Sequence, residues 1–335
     1  MTQERTVDDV DWQPDLLGAG YRQHVLDLGP DPDGEAPVQA VLVRRDPDAG
    51  PPPRGVVLYT HGYTDYFFQA ELADFAAARG LAFYALDLRK CGRATRPGQT
   101  PHYVSRLALY DAELDRALAI VTAAHPGLPV VLVAHSTGGL IMALWQHRRR
   151  AEGGNPAVAA MVLNSPWLDL QGSALLRGPV TQAMRVLAKV APMRAVKMRP
   201  GAYGSTLHVS GTGEWDFSTD LKPLSGYPAR FGWLNAIRRG QARLHRGLDV
   251  GVPVLVLRSA RSHFAAEYSE VSDHADLVLD TLQIGQWAAS LGTEVTDIPV
   301  EDARHDVLLS IPQSRARAYQ ALDGWLGSVA ALRSA

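Results

Sequence analysis

The stretch VVLVAHSTGGL, residues 130–140, decides the fold class of this 335-residue chain. Its apolar first half predicts a buried strand and its second half opens a helix, so Ser136 falls on the tight turn between them. Small residues two positions before and after the serine, Ala134 and Gly138, relieve crowding in such a turn. The pattern is A-x-S-x-G, with alanine where glycine is more usual. It predicts a nucleophilic serine at a sheet edge; the alternative is a Ser-Gly turn that only caps a helix.

The same alternation of short apolar runs with helix-like segments extends along much of the chain. Runs without polar alternation are typical of parallel strands that are covered on both faces. We therefore predict an α/β fold with a mostly parallel, doubly wound sheet, preceded by a β-ribbon at 21–29 and 38–46. The runs that predict the main strands lie at 54–62, 81–89, 129–136, 159–166 and 252–259.

The alternation stops between residues 171 and 250. We predict a mainly helical cap there, inserted after the sixth strand, with the core formed by residues 1–170 and 251–335. The predicted cap holds 12 basic and 4 acidic residues, against 21 and 31 in the rest of the chain. Such segregation suits contact with an anionic head group or membrane surface, docking of the cap on an acidic body, or a solvated face.

The composition of the whole chain limits the classes of protein to which it can belong. An apolar share of 46% and a charged share of 20% are ordinary for a globular protein. The single cysteine excludes an internal disulfide and a thiolate cluster, and the N-terminus does not resemble a signal peptide. We expect a cytoplasmic protein without cofactor, metal or nucleic-acid partner. The oligomeric state is left open.

A nucleophilic serine needs a base and a group that orients the base. The base is expected to be His305, because it lies on the loop after the last predicted strand, 293–302, and therefore at the same sheet edge as Ser136. The orienting acid is less defined by the sequence. Asp276 is the first choice, while Asp273 and Asp280 remain open as acids or as helix caps.

Hydrolysis also needs N–H donors for the negative oxygen that develops on the substrate. The backbone N–H of Thr137, directly after the nucleophile, is one candidate. The second is the N–H of Tyr63, in the loop after strand 54–60, where Gly62 lets the backbone approach the substrate. His61 and Gly62 are accordingly expected beside the substrate. His135, by strand alternation, is expected to be a packing residue.

Aromatic residues of the predicted cap are candidates for an acyl pocket, above all Trp215, Phe217 and Trp233, with Phe231 beside them. The alternative is that they pack the cap on the core. Cys91 lacks the surroundings of a second nucleophile and is interpreted as a structural loop residue.

Four segments in this order, THGYTDY, DLRKCGRA, AHSTGGL and ARHDVLLS, resemble the monoacylglycerol lipase and lysophospholipase group of α/β-hydrolases, often described together with the serine aminopeptidases. The resemblance covers roughly 38–170 and 252–330 and is weak across the cap. It implies an α/β-hydrolase fold, a triad of Ser136, Asp276 and His305, and an oxyanion hole at Tyr63 and Thr137. Two departures are Ala134 and the extra segment between Ser259 and the acid.

The sequence thus predicts a serine hydrolase that cleaves carboxylic esters through an acyl-enzyme. Its expected substrates are lipid-like, such as a monoacylglycerol or lysophospholipid, or other medium-chain esters. The alternatives are a C–C bond hydrolase, an aminopeptidase, or a ligand-binding protein with little turnover on the same fold.

Overall fold

The computed structural model describes residues 10–47, 50–170, 185–196 and 201–333. In this part of the chain, nine strands form one sheet. They are β1 (Gln13–Pro14), β2 (Tyr21–Gly29), β3 (Val38–Arg45), β4 (Gly55–Thr60), β5 (Leu81–Asp87), β6 (Val130–His135), β7 (Val158–Asn164), β8 (Val254–Ser259) and β9 (Val295–Val300). Their spatial order is β1-β2-β3-β5-β4-β6-β7-β8-β9.

The sheet has an antiparallel edge and a parallel body. β2 pairs antiparallel with β3, as the predicted ribbon requires, and β3 pairs antiparallel with β5. From β5 to β9 every neighbouring pair is parallel. All six residues of β4 and of β6 are buried, which explains why these strands show no polar alternation in the sequence. The prediction of a mostly parallel α/β sheet is confirmed.

Helices cover both faces of the sheet. They are α1 (Ala70–Ala77), α2 (Asp111–Ala124), α3 (Thr137–Ala151), α4 (Tyr203–Leu207), α5 (Phe231–Leu244), α6 (Thr281–Ala288), α7 (Pro312–Ser328) and α8 (Ala330–Arg333). Alternate residues of one strand enter different apolar clusters: Leu58 packs with α2, α3 and α5, and Tyr59 packs with α1 and α7. A doubly wound arrangement is the result.

Helix α5, in the predicted cap, lies directly on the body of the molecule. A Cβ at Gly240 would lie 2.8 Å from Leu107 Cδ1 and 2.9 Å from Leu144 Cδ1, so the absence of a side chain lets α5 approach closely. A separate apolar cluster joins the segment around Phe217 to Phe68 and Leu309 of the body. Helix α5 and the segment around Phe217 are therefore in tight contact with the body.

Two local features of the structure go beyond the sequence analysis. One is the start of α6 at Thr281, where the side chain of Asp280 caps the helix by accepting the N–H of Leu282. The other is the short strand β1. With β1 counted, the last strand before the predicted cap is the seventh, β7, where the sequence predicted the sixth.

The first part of the predicted cap, residues 171–184, lies outside the described residues, and residues 185–190 are described as helix. Nowhere in the described ranges is a helix both long and apolar enough to cross a membrane.

Candidate active site

Ser136 occupies a strained turn between β6 and α3. Its backbone adopts φ +52° and ψ −118°, a region that non-glycine residues rarely enter. The backbone N–H of Ser136 donates to the carbonyl of Asn164 on β7 (2.9 Å), which holds the turn against the sheet. A Cβ at Gly138 would overlap the carbonyl oxygen of His61, so this position requires glycine. Ala134, in contrast, is accommodated as a fully buried strand residue.

Three side chains form a hydrogen-bonded chain at this turn. His305 Nε2 lies 3.0 Å from Ser136 Oγ, and His305 Nδ1 lies 2.8 Å from Asp276 Oδ2. The carboxylate accepts, so Nδ1 carries the proton and Nε2 is free to accept the serine proton. All three residues are buried, the serine being the most accessible at 7% exposure. The arrangement is that of a nucleophile, a base and an orienting acid.

Hydrogen bonds to the other carboxylate oxygen of Asp276 hold this side chain in place. Its Oδ1 accepts the backbone N–H groups of Val278 and Leu279, both at 2.7 Å. These two bonds fix the plane of the carboxylate, so that Oδ2 points at the His305 ring. A rigid acid keeps the imidazole in one tautomer and one orientation.

The two alternative acids have other partners. Asp273 forms an ion pair with Arg304 (2.6 Å) and accepts the hydroxyl of Tyr268 (2.9 Å). Asp280 is the N-cap of α6. The structure therefore places only Asp276, of these three, against His305.

The loop after β4 lies beside the nucleophile. A Cβ at Gly62 would come within 3.0 Å of Ser136 Cβ, so this glycine permits the close approach. Within the described part of the chain, neither Tyr63 nor Thr137 gives its backbone N–H to a protein acceptor. Both donors therefore remain available at the nucleophile.

His61 supports this loop instead of facing a substrate, which corrects the sequence-based expectation. Its Nε2 accepts the backbone N–H of Leu88 (3.1 Å), and its Nδ1 donates to the carbonyl of Gly62 (2.7 Å). With both ring nitrogens engaged and 1% of the residue exposed, His61 ties the loop after β4 to the end of β5.

Sequence reasoning missed a buried polar cluster next to the base. The carboxylate of Asp65 lies 3.3 Å from His135 Nδ1 and 2.7 Å from Lys222 Nζ. Burial by itself raises the pKa of Asp65, but the charge of Lys222 and the hydrogen bond from His135 outweigh it and hold the pKa well below its usual value. The ring of His135 packs against that of His305 with centroids 4.9 Å apart. His135 is thus a packing residue, but one that contacts the base and an ionised carboxylate.

The aromatic candidates separate into two groups. Trp215 donates its indole N–H to the carbonyl of Leu309 (3.1 Å), and Phe217 packs against Phe68 with centroids 4.8 Å apart. Both fit the alternative interpretation, that they pack the cap on the core, so they are corrected as substrate contacts. The side chain of Phe231 is half-buried at the start of α5.

Trp233, the remaining candidate, does lie at the site. Its ring packs against that of Tyr63 in a tilted arrangement (4.1 Å between centroids), and its centroid is 5.8 Å from that of Trp167. Trp167, which sequence reasoning did not single out, donates its backbone N–H to the carbonyl of Ser136 (3.1 Å). The sequence signal was its position, three residues beyond the end of the parallel strand β7. The rings of Tyr63, Trp233 and Trp167 therefore form a connected cluster, and the backbone of Trp167 contacts that of the nucleophile.

Cys91 behaves as a buried structural thiol. Its Sγ donates to the carbonyl of Arg89 (3.2 Å) and lies 3.2 Å from His102 Nδ1. Burial raises the pKa of the Cys91 thiol well above its usual value and lowers that of the His102 imidazole well below its own. Both groups are therefore neutral at pH 7, and the thiol lacks the thiolate character of a nucleophile.

Comparisons with known proteins find similarity to two lipid hydrolases. A monoacylglycerol lipase from Mycolicibacterium smegmatis is 32% identical over 142 residues, which is 42% of this chain and 47% of that protein. The phospholipase YtpA from Bacillus subtilis is 30% identical over 121 residues, or 36% of this chain and 43% of that protein. These matches thus span a little under half the length of each relative.

Similarity in three dimensions extends further along the chain. The crystal structure of a monoglyceride lipase from Saccharomyces cerevisiae matches with a TM-score of 0.59 and 15% identity, covering 96% of both chains. At that identity the match establishes the fold, which is that of the α/β-hydrolases. The family model described as serine aminopeptidase, S33 matches residues 51–271, well over half of the chain. The chain therefore belongs to the S33 serine aminopeptidase family of α/β-hydrolases.

Proposed function

We propose that this hydrolase-family protein is a serine esterase that cleaves carboxylic esters, with lipid-like substrates such as monoacylglycerols or lysophospholipids. One observation carries the proposal: Ser136, His305 and Asp276 form a continuous hydrogen-bonded chain at a strained strand-to-helix turn. The names of the two relatives, a monoacylglycerol lipase and a phospholipase, support an ester of a lipid as the substrate class.

The mechanism follows from the positions of the atoms. His305 Nε2 takes the proton of Ser136 Oγ as that oxygen bonds to the ester carbonyl carbon. The negative oxygen of the tetrahedral intermediate is stabilised by the backbone N–H groups of Tyr63 and Thr137. The intermediate collapses, the C–O bond to the alcohol breaks, and the alcohol leaves with the proton from His305.

Deacylation repeats these steps with water. His305 accepts a proton from the water that attacks the acyl-enzyme, and returns it to Ser136 as the carboxylic acid departs. Asp276 remains ionised throughout. It keeps Nδ1–H pointed away from the serine and stabilises the imidazolium that forms in each half-reaction.

A fluorophosphonate probe tests the nucleophile directly. The wild-type protein should be labelled at Ser136 and should release a burst of p-nitrophenol from a p-nitrophenyl ester. Ser136→Ala should lose labelling and at least ~10⁴-fold in kcat. Ser328→Ala, at an exposed position on α7, is the matched control and should behave as wild type. Undiminished labelling of Ser136→Ala would exclude this nucleophile.

A substrate panel tests the ester class. The rings of Trp233 and Trp167 lie near each other, and the backbone of Trp167 is hydrogen-bonded to that of Ser136, so an apolar surface near the nucleophile favours an acyl chain over a charged substrate. Monoacylglycerols and lysophospholipids should be hydrolysed with a higher kcat/KM than aminoacyl p-nitroanilides. If the anilides are preferred, the protein is an aminopeptidase; if only activated diketones turn over, it is a C–C bond hydrolase. A protein that binds all of these without a burst is a ligand-binding member of the fold.

We also propose that residues 171–250 form a cap domain that contacts membrane surfaces transiently. In its described helical stretch, 185–190, Val186 is 60% exposed and Val190 is 73% exposed. Arg185 of that stretch and Arg239 of α5 line one surface cleft with Val186. Apolar side chains flanked by basic ones suit an anionic lipid surface.

Sedimentation with lipid vesicles tests this contact. The protein should bind vesicles containing anionic phosphatidylglycerol more strongly than neutral phosphatidylcholine vesicles, and added salt should weaken the binding. Val190→Asp should reduce binding several-fold. Val25→Asp, the same change at a 46% exposed valine of β2, should not. Equal binding by both variants and both lipids would refute the contact.

A further inference from the structure

A cap segment, residues 217–227, lies on the loop that carries Tyr63. The backbone N–H of Tyr227 donates to Thr64 Oγ1 (3.0 Å), and that of Ser218 donates to the hydroxyl of Tyr66 (2.8 Å). The rings of Phe217 and Phe68 pack against each other in a tilted arrangement, with centroids 4.8 Å apart. The loop with the proposed oxyanion donor is therefore bounded on one side by the cap.

From this segment the side chain of Lys222 enters the body of the protein. It is 6% exposed, and its ammonium group is 2.7 Å from Asp65 Oδ1. The rings of Phe68 and Phe217 lie 5.5 and 5.7 Å from the ammonium, within the range of a cation–π contact. A lysine this deeply buried is uncommon unless its charge is matched. Here the matching charge is a single carboxylate in the loop after β4.

The second oxygen of Asp65 reaches two elements of the active site. Oδ2 lies 3.4 Å from the backbone nitrogen of Gly62, the residue before Tyr63, and 3.3 Å from His135 Nδ1. His135 directly precedes Ser136, and its ring contacts the ring of His305. The Asp65 carboxylate thus contacts both the loop that carries Tyr63 and the side chain of His135, which precedes the nucleophile and packs against the base.

We propose that Lys222 is a positioning residue: by neutralising Asp65, it fixes the oxyanion loop and the His135–His305 ring contact only when the cap is seated. The inference rests on the proposed serine-esterase function and adds a dependence of that chemistry on the cap. None of the four residues Lys222, Asp65, His135 and Gly62 needs to touch the reacting atoms.

The physical reason is the cost of an unpaired buried charge. Asp65 is 1% exposed, so withdrawal of Lys222 leaves a carboxylate without a counter-ion in a site that water barely reaches. The carboxylate then attracts its remaining hydrogen-bond partners, the Gly62 N–H and the His135 ring, more strongly, and both shift toward it. A shift of about 1 Å in groups that position a reaction lowers the rate by roughly 100-fold.

The test compares Lys222→Met, Lys222→Arg and Asp65→Asn on a short, water-soluble p-nitrophenyl ester. Lys222→Met should lower kcat by about 10- to 100-fold with KM within about 3-fold, because positioning acts on the transition state. The rate of fluorophosphonate labelling should fall by a similar factor. Lys222→Arg, which keeps the charge, should restore kcat to within about 5-fold of wild type.

The double variant Lys222→Met/Asp65→Asn isolates the pair. Since the two residues act together, its loss should be no larger than that of the worse single variant, not the product of both. Asp220→Asn, which removes an exposed charge two residues from Lys222, is the matched control and should retain wild-type kcat. If Lys222→Met does not fold, Lys222→Gln, which keeps an N–H donor without the charge, takes its place in the same comparison.

Several results would overturn the proposal: unchanged kcat in folded Lys222→Met, an effect on KM alone, no recovery with arginine, or multiplicative losses. None of these outcomes touches the proposed esterase. That function is decided by ester hydrolysis in the wild-type protein and by its loss in Ser136→Ala.

Discussion

Asp276 and Ser262 form an isolated parallel β-bridge just beyond the end of β8. The backbone N–H of Asp276 donates to the carbonyl of Arg261 (2.9 Å), and the N–H of His263 donates to the carbonyl of Asp276 (2.8 Å). The segment between them therefore leaves the sheet and returns to the point of departure. This closure brings the acid to the strand edge in spite of the insertion that separates it from Ser259.

The closed insertion leads to a prediction about the acid. Asp276→Asn should lower kcat by about 10³- to 10⁴-fold on a soluble ester, because the amide no longer holds the imidazole in the productive tautomer. Asp273→Asn and Asp280→Asn should each stay within about 3-fold of wild-type kcat, since their partners are Arg304 and a helix N-terminus. Steady-state kinetics of the three purified variants gives the comparison. A larger loss of kcat in either control than in Asp276→Asn would show that Asp276 is not the orienting acid.

Gly138, two residues after the nucleophile, supports a second prediction. Gly138→Ala places a methyl group where the carbonyl oxygen of His61 lies, so the turn or the loop after β4 must shift. We expect a loss of about 1–3 kcal/mol in the free energy of unfolding, typical of overpacking, and a lower kcat. Ala134→Gly, at the equivalent position before the serine, should leave kcat nearly unchanged. Urea unfolding and ester hydrolysis measure both; a Gly138→Ala protein as stable and active as wild type would contradict the steric argument.

Much of the fold could be predicted because it is encoded locally. The strands of the sheet appear as short apolar runs, and the turn at Ser136 is defined by its immediate neighbours Ala134 and Gly138. Position along the chain also indicated where His305 lies, since the carboxyl ends of parallel strands share one edge. The roles of these residues in catalysis stay predictions until they are measured.

Contacts between distant residues could not be predicted in the same way. Lys222 and Asp65 are 157 positions apart, and nothing near either residue in the sequence indicates the other. The place of Asp276 depends on the bridge to Ser262, which is invisible in a linear pattern. Trp215 is apolar enough for a pocket or for packing, and only the tertiary contact with Leu309 distinguishes the two.

The packing of the cap on the body gives a third prediction. Phe217 is 5% exposed and contacts Phe68 and His208, so Phe217→Ala should lower the free energy of unfolding by about 3–5 kcal/mol. Trp233→Ala should instead change the dependence of kcat/KM on acyl chain length, because its ring packs against Tyr63, which follows the glycine that approaches the nucleophile. Urea unfolding and a series of p-nitrophenyl esters separate the two effects. The assignment fails if Phe217→Ala alters chain-length preference without affecting stability.

The buried imidazole of His102 predicts how stability depends on pH. Burial, reinforced by the neighbouring His61, holds the pKa of His102 well below the ordinary value of about 6.5. Below that value the unfolded chain binds a proton that the folded protein does not, so stability should fall as the pH drops from about 6.5. One such group contributes a slope of at most ~1.4 kcal/mol per pH unit. His102 has φ +60°, which asparagine tolerates, so His102→Asn should flatten the slope between pH 6.5 and 5. Urea unfolding at several pH values measures it, and identical slopes for the variant and wild type would show that another group is responsible.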